Sequence, residues 1–465
     1  MFLARVRVSV RLWRLYTLAT VALCLCNAFA RALTVTRGEI TSIPAEHRTG
    51  SASLVQDLLV LQPENTAEAV QGLVLGTSCD VYVDYAVNSE CTSCVATVRF
   101  LGTSRSVLNR YSVSARDASL SIEGTSSDLR IEVILHRASS LRSLTLEGTS
   151  DVVVGDNTMA QDNASASVSI VVTGVGSIYL PEQATYNVKQ FVVKVVGSGD
   201  VSIPGKQINA DDVDVQVQGS GSICLAVQNV LVKGSTSLQG TSSGDISVNA
   251  AHFKTERLAV AVQGSGDVSF SQPGSCNEAT VTVAGAGDVH IGNVRCIDVD
   301  VELAGSGNVV VQSQRSLSGN RFGSGDIYYQ GEEPEYVTEK RIPGSSRPHL
   351  IAEPYRGQLP LKPCLIQPRR PRQESPMAFK PSQSSPWKTE SGWNTTWSTP
   401  EPYSPPSSTP AAHTGGVIVR VRWLGLGLLV IAVVLALYEF QGWRRRHRGP
   451  NERSPLLGND VPVYI

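Results

Sequence analysis

In this chain of 465 residues, 40 Lys plus Arg nearly balance 41 Asp plus Glu, for a formal net charge of −1. It therefore lacks the basic surplus that a nucleic-acid surface requires. Charged residues make up only 17% and aromatics 6%, while glycine is abundant at 40 residues, a balance that favours stacked strands and tight turns over charged amphipathic helices.

In chain order, residues 1–30 come first, with Arg5, Arg7, Arg11 and Arg14 before an apolar run from Leu15 to Cys26 and then Ala28-Phe29-Ala30. Basic, apolar and small-residue zones in that order predict a secretory signal peptide. Residues 31–75 read as an N-terminal lead-in and cap, and residues 76–332 as one repetitive unit.

The repeat is a Gly-Ser-Gly-Asp turn between two alternating apolar stretches. It occurs as Gly197-Ser198-Gly199-Asp200, Gly264-Ser265-Gly266-Asp267, Gly285-Ala286-Gly287-Asp288, Gly305-Ser306-Gly307-Asn308 and Gly323-Ser324-Gly325-Asp326, with looser copies starting at Gly76, Gly102, Gly124, Gly148, Gly174 and Gly219 and around Gly244. Counting from Asp80 to Asp326 gives about twelve copies at a mean step of ~22 residues. Alternation with period two, as in Val213, Val215 and Val217, means strands. A constant step of that length is one coil of a parallel β-helix, so the predicted fold is an all-β parallel solenoid of about twelve coils. The glycines read as bend residues that adopt positive φ without steric cost. A phosphate-cradling loop needs a following helix and occurs once, which does not fit a repeated strand-turn-strand.

At these residues the sequence resembles the head GIN domain of the auto-transporter adhesins, over roughly residues 70–330. That resemblance implies a β-helical fold with a surface or adhesive role, and it carries no catalytic residues to transfer. The first four turns depart from the pattern by placing Thr-Ser where the family has Ser-Gly.

The Asp positions of the repeat, Asp80, Asp128, Asp151, Asp200, Asp245, Asp267, Asp288 and Asp326, form a column whose members either hold cations or act as turn formers. The substitution of Ser106, Ser177, Ser222 and Asn308 into that column favours turn formation, so no metal and no cofactor is expected. His136, His252 and His290 stand alone and read as surface residues, and no acidic cluster of a polysaccharide-cleaving enzyme is evident. A binding protein is expected rather than an enzyme.

Nine cysteines leave seven once Cys24 and Cys26 go with the signal. Cys276 and Cys296 follow Asp267 and Asp288 by nearly equal intervals, which puts them on adjacent coils and predicts a disulfide. Cys79, Cys91 and Cys94 are close enough in sequence for one bridge among the three, while the pairing of Cys224 and Cys364 stays open. Asn163-Ala164-Ser165 and Asn394-Thr395-Thr396 are glycosylation acceptors.

Residues 333–416 turn to Pro, Ser and Thr without apolar period, the composition of an extended stalk. Residues 417–440 are the predicted transmembrane helix, with Trp423 to Tyr438 free of charge, and Arg444, Arg445, Arg446 and Arg448 place the tail 441–465 in the cytosol. A single-pass type I membrane protein of the plasma membrane or of endosomes and lysosomes follows. In the tail, Glu452 lies four residues before Leu456-Leu457, the pattern of an acidic dileucine signal for clathrin adaptors. Two roles fit: a binding or adhesion protein presenting the solenoid to glycan or protein ligands, and a lumenal sorting receptor that cycles through endosomes.

Overall fold

The computed structural model describes residues 33–44, 51–62, 69–86, 93–339 and 352–357. The expected signal peptide, most of the stalk, the membrane helix and the cytosolic tail lie outside the described residues. Among the described residues no helix is long and apolar enough to cross a membrane.

Strands account for almost everything. The first ten are β1 (Thr34–Ser42), β2 (Leu54–Leu61), β3 (Gly72–Thr77), β4 (Val81–Tyr85), β5 (Cys94–Gly102), β6 (Ser112–Arg116), β7 (Ser119–Gly124), β8 (Leu129–Leu135), β9 (Ser143–Leu146) and β10 (Val152–Val154), with helix α1 (Arg105–Leu108) between β5 and β6. There follow β11 (Asp162–Val172), β12 (Ile178–Tyr179), β13 (Thr185–Val195), β14 (Val201–Val217), β15 (Ile223–Val232), β16 (Ser235–Gly240), β17 (Ile246–Val248), β18 (His252–Val262) and β19 (Val268–Phe270). The last are β20 (Gly274–Val283), β21 (Val289–Gly305), β22 (Val309–Gly323), β23 (Ile327–Tyr329), β24 (Tyr336–Glu339) and β25 (Ala352–Pro354).

From β9 onward the pairing is parallel and in register. One ladder, just after the glycine corner, runs Val152, Ile178, Val201, Ile223, Ile246, Val268, Val289, Val309 and Ile327. A second, just before the corner, runs Leu146, Val172, Val195, Val217, Gly240, Val262, Val283 and Leu303. A third lies between them, through residues such as Asn209, Leu231 and Lys254. We call these the post-corner, pre-corner and middle faces. Period-two alternation sends every second side chain inward, where identical β-branched residues stack and lose nearly all solvent contact: Val152, Ile178, Val201, Ile223 and Ile246 are all fully buried. The parallel β-solenoid predicted from the repeat is the fold.

The count differs from the expectation of about twelve coils. Nine corners stack in sequence order, from Gly148 through Gly174, Gly197, Gly219, Ser242, Gly264, Gly285 and Gly305 to Gly323. The earlier copies depart. The copy at Gly102 ends the antiparallel strand β5, and Ser106 sits in α1 rather than at a corner. Ile131, not Leu129, stands beside Val81, so Asp128 falls outside the acidic column.

Space order also differs from chain order at this end. β3 is flanked by β7 on one side and β9 on the other, and β4 likewise by β8 and β10. The coil of β7 and β8, made after that of β3 and β4, thus lies outside it, and strands β8, β5, β2 and β1, paired antiparallel in that order, close the end of the stack. Arg99 fastens this cap by a forked pair to Asp57, at 2.8 and 3.0 Å.

The corner glycines are needed for a reason other than backbone sign. Among the described glycines, only Gly323 and Gly331 have positive φ, so the expectation of positive φ at every corner is incorrect. A Cβ built on Gly197 would lie 1.9 Å from the carbonyl oxygen of Gly174 one coil below, and one built on Gly221 would lie 2.0 Å from that of Gly199. Each coil rests a glycine Cα–H on the carbonyl of the coil before, and no side chain fits between them.

Candidate functional site

The acidic column is a hydrogen-bonded ladder. Asp151 Oδ1 accepts the Ser177 N–H at 3.0 Å, Ser177 Oγ accepts that of Asp200 at 3.2 Å, and Asp200 Oδ1 accepts that of Ser222 at 2.7 Å. The series continues through Ser222, Asp245, Asp267, Asp288 and Asn308 to Asp326, with donor distances of 3.2, 2.8, 2.8, 2.6 and 3.1 Å. Asp, Ser and Asn interchange here because each offers one acceptor oxygen at the same place. The partner is the next coil's backbone rather than the residue's own, and half of each carboxylate is committed to it. No group of three or more acidic, Cys or His side chains able to hold a metal ion occurs among the described residues.

The pre-corner face carries outward columns of Ser, Thr, Asp and Gln. Asp298 accepts from Ser316 Oγ at 2.6 Å and Asp300 from Ser318 Oγ at 2.9 Å. Hydrogen bonds from Arg315 and Ser316 hold the Asp298 carboxyl below the usual carboxylate range.

The post-corner face bears a concavity with a volume of about 850 Å³. Its floor is His290, Val310 and Tyr328 on β21, β22 and β23 together with Asp288 and Asn308 just before β21 and β22, and its wall is Glu353 to Gly357, starting within β25. His290, Val310 and Tyr328 hold equivalent outward positions on successive coils, and Asp288 and Asn308 hold equivalent corner positions beside them. Tyr328 and Tyr355 meet edge to face with ring centroids 5.6 Å apart. His290 Nε2 lies 3.9 Å from Asp288 Oδ2. Burial, together with the nearby Asp326 carboxylate, pushes the Tyr328 hydroxyl above its usual value, so it stays protonated as a donor. The groove therefore sets aromatic surface beside carboxylate acceptors and the Arg356 cation, a combination suited to a ligand with both an apolar face and hydroxyls.

Two histidines read as surface residues are not. His290 is buried, at 7% exposure. His136 is half-buried, with Nδ1 2.8 Å from the Ala86 carbonyl and Nε2 2.8 Å from Thr97 Oγ1. The groove itself escaped the sequence reading, since its wall comes from a segment read as stalk.

The Cys276–Cys296 disulfide is present, with a Cα–Cα distance of 4.4 Å, joining β20 to β21 at directly paired positions. Cys94 and Cys224 are also disulfide-bonded. Cys79 is a buried thiol, pushed up to about 11 by burial, so it is not part of the bridge expected among the three N-terminal cysteines. Asn163 Oδ1 accepts from both the N–H and the Oγ of Ser165, at 3.1 and 2.7 Å, so that the acceptor asparagine and its hydroxyl partner are already joined. Asn394, Glu452, Leu456 and Leu457 lie outside the described residues.

The chain is similar to a putative adhesin from Parabacteroides distasonis, with 13% identity over 66% of this chain and 93% of that one and a TM-score of 0.33. A putative adhesin from Parabacteroides merdae matches at 11% identity over 66% and 92%, with a TM-score of 0.29. A putative lipid binding protein from Parabacteroides distasonis matches at 14% over 61% and 91%, also at 0.29. No curated protein matches. Residues 224–332, which hold the most regular Gly-Ser-Gly-Asp corners, match the family described as putative auto-transporter adhesin, head GIN domain, and the resemblance drawn from those corners is thereby shown.

Proposed function

We propose that this chain is a surface binding protein of adhesive type, whose solenoid takes a glycan in the groove formed by β21 to β23 and Glu353 to Gly357. The observation that carries the reading is the convergence of Tyr328 and Tyr355 with Asp288, Asn308, Glu353 and Arg356 in that groove. A sugar ring has an apolar face that packs on aromatic edges and a rim of hydroxyls that donate to carboxylates, and both partners are present at once. The adhesin-like head GIN match supports binding rather than catalysis. The expected signal peptide, stalk, membrane helix and cytosolic tail complete the proposal as a type I membrane protein. The alternative of a sorting receptor uses the same groove and differs in Glu452, Leu456 and Leu457.

A glycan array probed with the purified protein, followed by titration of the best hit against Tyr355→Ala, tests the proposal. Loss of at least tenfold in affinity is expected. Unchanged binding by the variant, or no glycan hit, overturns it. Steady-state localisation of a Leu456→Ala, Leu457→Ala protein separates the two roles, since only the sorting receptor shifts to the cell surface.

A further inference from the structure

We infer, resting on the glycan reading of the groove over β21 to β23, that this groove selects a basic amino glycan, an oligosaccharide whose sugar rings carry free ammonium groups. Its carboxylates are spread along its length. Asp288, just before β21, and Glu353, on β25, are three inter-strand steps apart through β22 and β23, or about 14 Å, a span that takes more than one sugar ring. Asp326 stands between them, where its N–H continues the corner ladder onto Asn308 Oδ1.

The balance of charge along that span is negative. Asp288 gives Oδ1 to the Asn308 N–H at 2.6 Å and keeps Oδ2 for a ligand, with its side chain 34% exposed, and Glu353 is exposed. Arg321 does not offset them, because it is paired to Asp326 and also donates to the Gly325 carbonyl. With histidine counted neutral, Arg356 brings one positive charge to the lining while Asp288 and Glu353 bring two negative ones, a net charge of −1. The raised Tyr328 hydroxyl reports the same field, since the Asp326 and Glu353 carboxylates add to the effect of burial. A uronic or sialic acid is repelled by such a groove and an ammonium is drawn in.

The tyrosines add a second attraction that only a cation can use. Tyr328 and Tyr355 have their planes inclined at 66° and their centroids 5.6 Å apart, and the face of such a ring attracts an ammonium within about 6 Å. Carboxylate lies beside that aromatic surface on two sides: Glu353 is paired with Tyr328 across the strands, and the Tyr328 hydroxyl donates to Asp326 Oδ2 at 3.4 Å. An ammonium on a sugar ring therefore touches ring face and carboxylate together. A hydroxyl at the same carbon draws on the carboxylate alone, and an acetamide brings no charge.

The test is calorimetric titration of the purified full chain with chitosan, chitin and cellulose tetrasaccharides, which share a backbone and differ at C2 in bearing ammonium, acetamide or hydroxyl, in buffer that keeps the amine charged. The chitosan tetrasaccharide should bind at least about tenfold more tightly than the other two, and added salt should shrink that preference. Glu353→Gln should cut the preference to within about threefold, as should Asp288→Asn, which keeps an acceptor for the Asn308 N–H and so leaves the corner intact, whereas Arg356→Gln should widen it. Equal binding of the three, no binding of the chitosan tetrasaccharide, or a preference untouched by Glu353→Gln overturns the inference. Binding of cellulose or chitin tetrasaccharide that Tyr355→Ala abolishes, without preference for chitosan, removes the charge selection and leaves the glycan groove standing.

Discussion

Replacing Gly266 by alanine probes the contact on which the stack is built. The new Cβ would stand 2.2 Å from the carbonyl oxygen of Gly244 in the coil below, where contacts shorter than 3.0 Å essentially never occur. Relief requires the two coils to part locally by about 0.8 Å, a strain of the overpacking kind. That displacement stretches the bonds from the Ser265 and Gly266 N–H groups to Ser242 O, both 3.0 Å, and from the Asp267 N–H to Asp245 Oδ1, 2.8 Å. At about 1 kcal/mol net per lost bond, the local cost is about 3 kcal/mol. Native-state hydrogen exchange of the Ile246 and Asp267 amides reads this directly, and about two decades of faster exchange are expected, at ~1.4 kcal/mol per decade. Asparagine, which tolerates left-handed backbone, should rescue nothing at Gly266 but be accepted at Gly331, where φ is +85° and the nearest atom to an added Cβ is a flexible side chain at 3.1 Å. Exchange in Gly266→Ala within a factor of three of wild type, or rescue by Gly266→Asn, refutes the close-approach reasoning.

Other consequences are as specific. Asp267→Ala strands the Asp288 N–H and should cost about 1–2 kcal/mol in denaturant unfolding, while Asp267→Asn keeps an acceptor in place and should cost less than half of that; equal losses refute the ladder. Removing the Cys276–Cys296 bridge by a double Ser substitution releases a crosslink of sequence separation 20 and should lower stability by about 3 kcal/mol on the chain-entropy account, measured by unfolding of reduced-thiol-free protein. His136 is held neutral because burial lowers its pKa, although its bond to the Ala86 carbonyl opposes the shift. The unfolded chain therefore binds the proton more readily, so the stability that His136 confers is whole above about pH 6.5 and falls as the pH drops towards the depressed folded value. His136→Gln should flatten that slope in a pH series of thermal melts, and an unchanged slope refutes the assignment.

What could be read from the residues alone followed from locality. The corner recurs at a nearly constant step from Gly148 to Gly323, so strands, register and the Cys276–Cys296 pairing were all legible from spacing. The exchange of coil order at β3, β4, β7 and β8 was not, because it depends on which edges meet in space, and both coils show the same alternation. The role of the glycines was misread for a related reason: positive φ is a property of one residue, while the approach of Gly197 to Gly174 O belongs to two coils. The groove shares that origin. Its floor residues look like ordinary outward positions until the chain at Glu353 to Gly357 is laid beside them.

The inverted coil order also bears on synthesis. As the protein emerges from the ribosome, the strands at residues 72–85 are complete some fifty residues before residue 135, the last of the two strands that must lie on their outer side. Until then that early coil offers a bare hydrogen-bonding edge, the kind that recruits foreign strands. Newly made chains should thus pass through a vulnerable interval in which a chaperone is most useful, after which assembly proceeds in one direction only, each nascent coil landing on a surface already finished.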